Sequence, residues 1–314
     1  MMLRRMCTSA TEKCCLRNAI LSIYIRIWIL KSFLIVILII FILFCIAVIA
    51  FDSTRYVIRE YTVKTGKVSS DRTVVFLSDL HNKKYGKNNE KTIADIRALN
   101  PDLVLVGGDM MTAYPGNDYA VALHFVSEVC KDKNYVYAEG NHEYRARIYT
   151  EDYGDLNDRF RSDLEKNGIK ISVNDHADFF DDIRVFSLSI EHSYYRRFRL
   201  KPMPDDYISS EIGKPDEGKF NILLAHNPDY FDRYAKWGAD LVLSGHVHGG
   251  VVRIPFGPGV ISPMCKLFPK YSGGLYKKDP SRMIVSRGLG MHTIPFRMFN
   301  PAEIVVIHIK TEDK

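Results

Sequence analysis

Polarity along the chain falls into two regimes. Residues 32–51, SFLIVILIIFILFCIAVIAF, contain no charged side chain, and the run matches the ~20 residues a helix needs to cross the hydrocarbon core of a bilayer. The core helix of a soluble protein would keep a polar stripe, and this run has none. A cleaved signal peptide is the nearer rival, because Val48 and Ala50 are small enough for a peptidase site. The run exceeds the ~7–15 residues of a signal-peptide core, however, so an uncleaved transmembrane helix is expected over 32–51. Residues 19–30 are also apolar but are broken by Arg26. They predict an interfacial helix on the inner surface or a short cytoplasmic helix within a basic tail over 1–31.

Beyond a linker at 52–72, apolar runs of strand length alternate with polar stretches of helical length. Strands are predicted at 73–77, 103–106, 135–138, 184–189, 221–225, 241–244, 283–286 and 303–309, and helices at 90–99, 120–130, 155–167 and 228–236. That alternation argues for a layered α/β domain over 73–314, with helices packed on central sheets. Gly and Pro gather over 255–274 and predict a long irregular surface segment, a length that is often functional.

Charge adds an orientation. Arg4, Arg5, Lys13, Arg17, Arg26 and Lys31 precede the apolar run against the single acid Glu12, whereas Asp52, Arg55, Arg59 and Glu60 follow it. Basic flanks stay on the cytoplasmic side, which puts the N-terminus inside and the domain outside the membrane. The net charge of +6 over 314 residues comes largely from that tail, so it speaks to anionic headgroups and not to nucleic acid. Of the six cysteines only Cys130 and Cys265 lie in the domain, and no CxxC spacing suggests a zinc ribbon or a disulfide framework.

The candidate chemistry sits where predicted strands end. VVFLSDLH carries Asp79 and His81; LVLVGGDM carries Asp109 after two glycines; VYAEGNHEY carries Asn141 and His142; ILLAHNPD carries His226; LVLSGHVHGG carries His246 and His248. Each alone has a plain structural explanation. An Asp after Gly-Gly is often a turn or cap residue, and a lone buried His is more often hydrogen-bonded than metal-bound. Ligand-type residues at five strand tips together do not fit that explanation. Imidazole and carboxylate without thiolate suit zinc, iron or manganese in a reactive site and argue against a structural zinc site. Two such ions about 3.5–4 Å apart can hold the attacking and leaving oxygens of a phosphoryl displacement, with Asp109 as the natural bridging carboxylate.

In their order of DxH, GD, GNH, a lone His and GHxH, residues 74–250 resemble the calcineurin-like metallophosphoesterase family. The resemblance implies a four-layer α/β/β/α sandwich holding two divalent metal ions. Asp79, His81 and His248 would bind the first ion, Asn141, His226 and His246 the second, with Asp109 between them. His142 would stay off the metals and protonate the leaving oxygen, while a water activated by the metals attacks phosphorus in line. Glu143 stands where the family often has an Asp that helps orient this histidine. The stretch VSRGLGMHTIPFRMFNPAEIVVIHI resembles the YaeI-type, membrane-associated branch, which is linked to phospholipid or glycolipid substrates.

The expected function is therefore a metal-dependent phosphodiesterase or pyrophosphate hydrolase acting on a lipid-linked or cell-envelope substrate. A nuclease or nucleotide phosphohydrolase of the same superfamily and an inactive membrane-anchored binding protein are the alternatives. Tyr194, Tyr195, Arg196, Arg197, Arg199 and Lys201 form an aromatic and basic cluster that reads as a phosphate grip, a headgroup contact or a solvated loop. Arg287 is a further candidate for phosphate contact. His124, His176, His192, His292 and His308 lie outside the motifs and receive no metal role.

Overall fold

The computed structural model describes residues 3–116, 118–196, 200–291 and 294–312, with side chains from residue 15 onward. The chain divides into two compact units, residues 1–48 and residues 49–314. The first is a single helical rod belonging to α1 (Leu3–Thr54), which continues through the tail without a break. Apart from Ser22, Arg26, Lys31 and Ser32, its side chains over Ile20–Phe51 are apolar, and they are largely exposed; the helix is long and apolar enough to cross a membrane.

The second unit runs β1 (Tyr56–Thr65), β2 (Arg72–Leu77), α2 (Glu90–Ala98), β3 (Leu103–Val106), α3 (Ala120–Cys130), β4 (Asn134–Ala138), α4 (Asn141–Ile148), α5 (Thr150–Tyr153), α6 (Leu156–Lys166), β5 (Ile171–Ser172), β6 (Asp175–Phe179) and β7 (Ile183–Leu188). It continues through α7 (Tyr207–Ile212), β8 (Phe220–Ala225), α8 (Phe231–Trp237), β9 (Leu241–Ser244), β10 (Val252–Arg253), β11 (Gly259–Ile261), β12 (Gly274–Lys278), β13 (Ser281–Val285) and β14 (Ala302–Thr311).

Two six-stranded mixed sheets form, ordered β1-β14-β2-β3-β4-β5 and β12-β13-β9-β8-β7-β6, with a small β10-β11 ribbon beside them. Strands such as LVLV in β3 and β9's LVLS are buried throughout, as expected of central parallel strands covered on both faces. One face of the first sheet packs Val75, Val104 and Val306 against Phe125 of α3 and Phe160 of α6. Its other face packs Phe76 and Leu105 against Ile222 and Leu243 of the second sheet. The second sheet's outer face packs Leu223 and Val242 against Ile208 of α7 and Tyr234 of α8. The expected four-layer α/β/β/α sandwich is thus the observed fold. In α6 the buried residues Leu156, Phe160 and Leu164 recur every four positions, the stripe that docks a helix on a sheet.

The expected linker at 52–72 is corrected by β1, which pairs in parallel with β14 over all ten positions, Tyr56↔Ala302 to Thr65↔Thr311. YVIREYTVKT alternates as a half-buried edge strand does, but its partner lies some 240 residues along the chain, so nothing local announces the pairing. The irregular segment at 255–274 is punctuated by β11, which pairs antiparallel with β10 just before it.

Candidate metal centre

All five motifs end at one edge of the molecule because the strands that carry them run in parallel. β2, β3 and β4 are parallel neighbours in the first sheet, and β8 and β9 in the second. Immediately past the strands the backbone turns sharply: Asp79, His81, Asp109, His246 and His248 all have positive φ, between 47° and 68°. Such left-handed geometry costs a non-glycine residue energy and is kept where the surroundings impose it. Here the surroundings are hydrogen bonds between the turns: Asp79 N to Gly108 O (3.0 Å), His81 N to Asp109 O (3.1 Å), His142 N to Asp109 Oδ1 (2.7 Å) and His246 N to Asp79 Oδ1 (3.0 Å). A Cβ at Gly140 would run into the Asp109 carboxylate, so the turns approach this closely only with glycine there.

Three overlapping groups result: Asp79, His81 and His248; His81, Asp109 and His142; Asp109, His226 and His246. In each, the potential ligand atoms lie within 4.8 Å of one another. Asp79 Oδ1 stands 3.4 Å from His248 Nε2 and 3.7 Å from His226 Nε2. Asp109 Oδ2 stands 3.0 Å from His226 Nε2 and 3.8 Å from His81 Nε2. The His81 and His248 Nε2 atoms face each other at 3.2 Å. Asn141 lines the same cavity, and its Oδ1 is buried with no hydrogen-bond partner among the described residues. A buried amide oxygen without a donor is costly, and a cation shared with the neighbouring imidazoles and carboxylates would satisfy it. The donor set therefore fits divalent metals, with shared residues consistent with a paired site.

Ring orientation is fixed from outside the cluster. His226 Nδ1 lies 2.7 Å from Gly107 O and His248 Nδ1 lies 3.2 Å from Gly290 O, which turns each Nε2 toward the carboxylates. Burial opposes protonation of His226, but Asp109 and Asp79 outweigh it and lift its pKa to about 10. At His248 burial prevails over the attraction of Asp79 and pulls the pKa to about 4. Burial also opposes ionisation of Asp109, yet positive charge at His226 and His142 holds its carboxyl well below the usual range.

His142 Nδ1 accepts from Ala113 N–H (3.0 Å), and Arg145 Nη2 lies 2.9 Å from the same atom. Glu143 is engaged by the neighbouring turns. Its carboxylate accepts from Asp109 N (2.8 Å), Met110 N (2.9 Å), Gly140 N (3.0 Å) and Tyr137 OH (3.0 Å). The longer side chain ties the GD turn to the GNH turn, and burial and the Asp109 charge push its pKa up to about 7.

The site opens into a cavity of about 270 Å³ that also takes in Arg145, His192, Tyr195, Arg196, Pro263 and Met264. Arg145 was not singled out from the sequence, and His192 was named only as lying outside the motifs, since a surface Arg on a helix and a lone His carry no local signal. The aromatic and basic cluster splits. Tyr195 packs edge-on against His246 with ring centroids 4.9 Å apart, whereas Lys201 pairs with Glu191 (3.1 Å) and covers the Tyr194 ring. Arg197, Arg199 and His292 lie outside the described residues. Arg287 is not among the residues lining this cavity; its Nε lies 3.4 Å from buried Glu303. His124 is exposed, His176 packs on Phe186 and His308 meets Glu60.

A further layer was invisible in the sequence. Buried Arg297 donates to the carbonyls of His248 (3.3 Å), Arg287 (2.7 Å) and Gly290 (2.5 Å). Asn300 Nδ2 donates to His248 O (2.8 Å) and to Gly250 O. Asp52 in turn accepts from Asn300 N (3.0 Å). These residues hold the GHVHGG loop from behind.

A family profile described as calcineurin-like phosphoesterase matches residues 72–250. A protein of Helicobacter pylori named an uncharacterized metallophosphoesterase is 29% identical over 259 residues, covering 80% of this chain and 63% of that protein. A Bacillus subtilis protein named uncharacterized metallophosphoesterase YkuE is 37% identical over 110 residues, 32% of this chain and 37% of that protein. A zebrafish protein named a transmembrane protein with metallophosphoesterase domain is 28% identical over 246 residues, 76% of this chain and 53% of that protein. The chain therefore spans less than two thirds of the length of these relatives.

Proposed function

Because the chain belongs to the calcineurin-like phosphoesterase family, whose members use a dinuclear divalent metal site, we propose that it hydrolyses phosphodiester or pyrophosphate bonds in a lipid-linked or cell-envelope substrate. The three ligand groups sharing Asp109 and His81 carry this reading. Asp79, His81 and His248 would hold one ion, Asn141, His226 and His246 the other, and Asp109 both. Metals bound there would polarise phosphoryl oxygens and lower the pKa of water.

The remaining steps belong to the chain's own groups. With Nδ1 of His142 accepting from Ala113 N–H, Nε2 is the ring nitrogen from which a proton would pass to the departing alkoxide. Arg145, beside that ring and lining the cavity, sets a fixed cation against the phosphate's negative charge. Tyr195 and Met264 give the cavity an apolar wall for the organic part of the substrate. Membership of a YaeI-type, membrane-associated branch, an N-terminus in the cytoplasm and a domain outside it complete the proposal, on the strength of the apolar helix and its basic flank.

The test uses the full chain in lipid nanodiscs, assayed on bis(p-nitrophenyl) phosphate with Mn²⁺ and again with EDTA. Absence of metal-dependent turnover overturns the proposal. A panel of lipid, nucleotide-sugar and nucleotide phosphodiesters then ranks substrates, and a preference for DNA or RNA overturns the lipid assignment. Cys265 is exposed and Cys130 buried, so with Cys7, Cys14 and Cys15 replaced by Ser an impermeant maleimide applied to intact cells should label Cys265; labelling only after lysis reverses the topology.

A further inference from the structure

Exposed apolar side chains scattered singly over a surface are ordinary, whereas several gathered on one small unit mark a contact surface. Such a unit is built around the β10-β11 ribbon. Ile254 and fully exposed Phe256 occupy its tip, and Leu267 and Phe268, 65% and 61% exposed, occupy the turn that follows. The turn folds back on the ribbon: Phe268 N donates to Val260 O (2.8 Å), and Ile261 bridges Leu267. Exposed Lys266, whose ammonium meets Asp229 at 3.1 Å, and exposed Lys270 flank the two apolar residues.

The attachments of this unit select its partner. Met298 N donates to Val251 O and Arg253 N donates to Met298 O, both at 3.1 Å. On either side of Met298, Arg297 N donates to Ser53 Oγ (3.0 Å) and Asn300 N donates to Asp52 Oδ2 (3.0 Å). The root of the ribbon and the point where the chain enters the domain, directly after the apolar run 32–51, are thus pinned to the same segment, 297–300. The turn that bears Leu267 and Phe268 also contributes Pro263 and Met264 to the wall of the metal-centre cavity.

We propose that Ile254, Phe256, Leu267 and Phe268 form a membrane-docking loop that enters the headgroup–acyl boundary of the bilayer crossed by residues 32–51, setting the cavity mouth against the lipid surface. The inference rests on the reading of that run as a membrane span. Apolar side chains edged by lysine suit this depth, because the rings leave water while the ammonium groups stay among anionic headgroups. A single-pass anchor alone fixes the distance of a domain from the bilayer but not its orientation. The docking loop fixes orientation, and a substrate's phosphodiester then meets the metal centre from the plane of the headgroups.

The experiment places single tryptophans in the full chain, with Trp28 and Trp237 replaced by Phe: Phe256→Trp at the loop and Phe41→Trp in the apolar run. Nanodiscs contain phosphatidylcholine, phosphatidylglycerol and nitroxide-labelled lipids. The expected result is blue-shifted emission from position 256, shielded from aqueous iodide and quenched best by nitroxides about 5–10 Å below the headgroups, with position 41 quenched best by deeper labels. Water-like emission and iodide quenching at 256, with 41 still quenched by lipid, overturns the docking loop and leaves the anchor standing. No lipid quenching at either position overturns both. Where loss of Trp237 impairs folding, it is retained and its signal subtracted using the parent protein. A second readout uses Ile254→Asp with Phe256→Asp: cleavage of a chromogenic phosphodiester tethered to a lipid should fall several-fold while soluble bis(p-nitrophenyl) phosphate is cleaved as before. Equal rates on the tethered substrate count against the proposal.

Discussion

The two sheets bring different chemistry to the seam between them. The first, through β2, β3 and β4, delivers both carboxylates and the amide, Asp79, Asp109 and Asn141, along with His81 and His142. The second, through β8 and β9, delivers only imidazoles, His226, His246 and His248. Neither half is self-sufficient even in orientation. Gly107 O, after β3, sets the His226 ring, and Asp79 receives the backbone N–H of His246. The lesson is that the centre exists only when the sheets are packed through the cluster around Phe76 and Leu243, so site geometry and domain stability are two aspects of one interface.

The sharpest way to break that seam is at the residue both halves share. Asp109→Asn removes the carboxylate that His226 faces at 3.0 Å and that receives His142 N–H. Phosphodiesterase activity should fall to background, and metal content, measured by plasma emission spectrometry, should drop. His142→Ala separates catalysis from assembly: turnover should fall ~10²–10⁴-fold, the usual worth of a general acid, at unchanged metal content. The loss should be larger for an alkyl ester than for a p-nitrophenyl ester, whose leaving group needs no proton. Equal losses would remove the acid role.

Next in size is the brace behind the second sheet's loop. Asn300→Ala leaves the buried carbonyls of His248 and Gly250 without that donor and should cost about 1–3 kcal/mol in thermal or denaturant unfolding, with weaker metal retention. If stability falls and metal binding does not, the seam and the site are less coupled than argued. The smallest effect belongs to a histidine away from both sheet ends. His124→Gln, on the exposed side of α3, should change stability by no more than ~0.5 kcal/mol and leave metal content and turnover as they were.

Legibility in the sequence followed the range of the interactions. β3, β9 and α3 were placed to the residue, because an apolar run between turns is a local signal, and the five motifs that gather at the site were legible by the same signal. β1 was read as linker because its partner is β14 at the far end of the chain. The stretch around Arg297 and Asn300 was noticed as a pattern, but its work on the carbonyls of the GHVHGG loop is tertiary. Glu143 was read from sequence only as standing where the family often has an Asp that helps orient His142, and in the structure it fastens two turns together; one extra methylene alters the reach of a carboxylate, and only coordinates show where it arrives.

By itself the sequence determined the apolar run, the α/β alternation and the identity of every proposed metal ligand, since each is written within a few consecutive residues and obeys local geometry. The tertiary structure decided which ligands face one another, which ring nitrogens point inward and which cavity wall lies beside them. It also decided that Asp52 and Ser53, the GHVHGG loop and the root of the exposed ribbon meet at one segment, 297–300. Those outcomes depend on backbone groups brought together from distant parts of the chain by burial of the inter-sheet core, and no local pattern encodes that proximity.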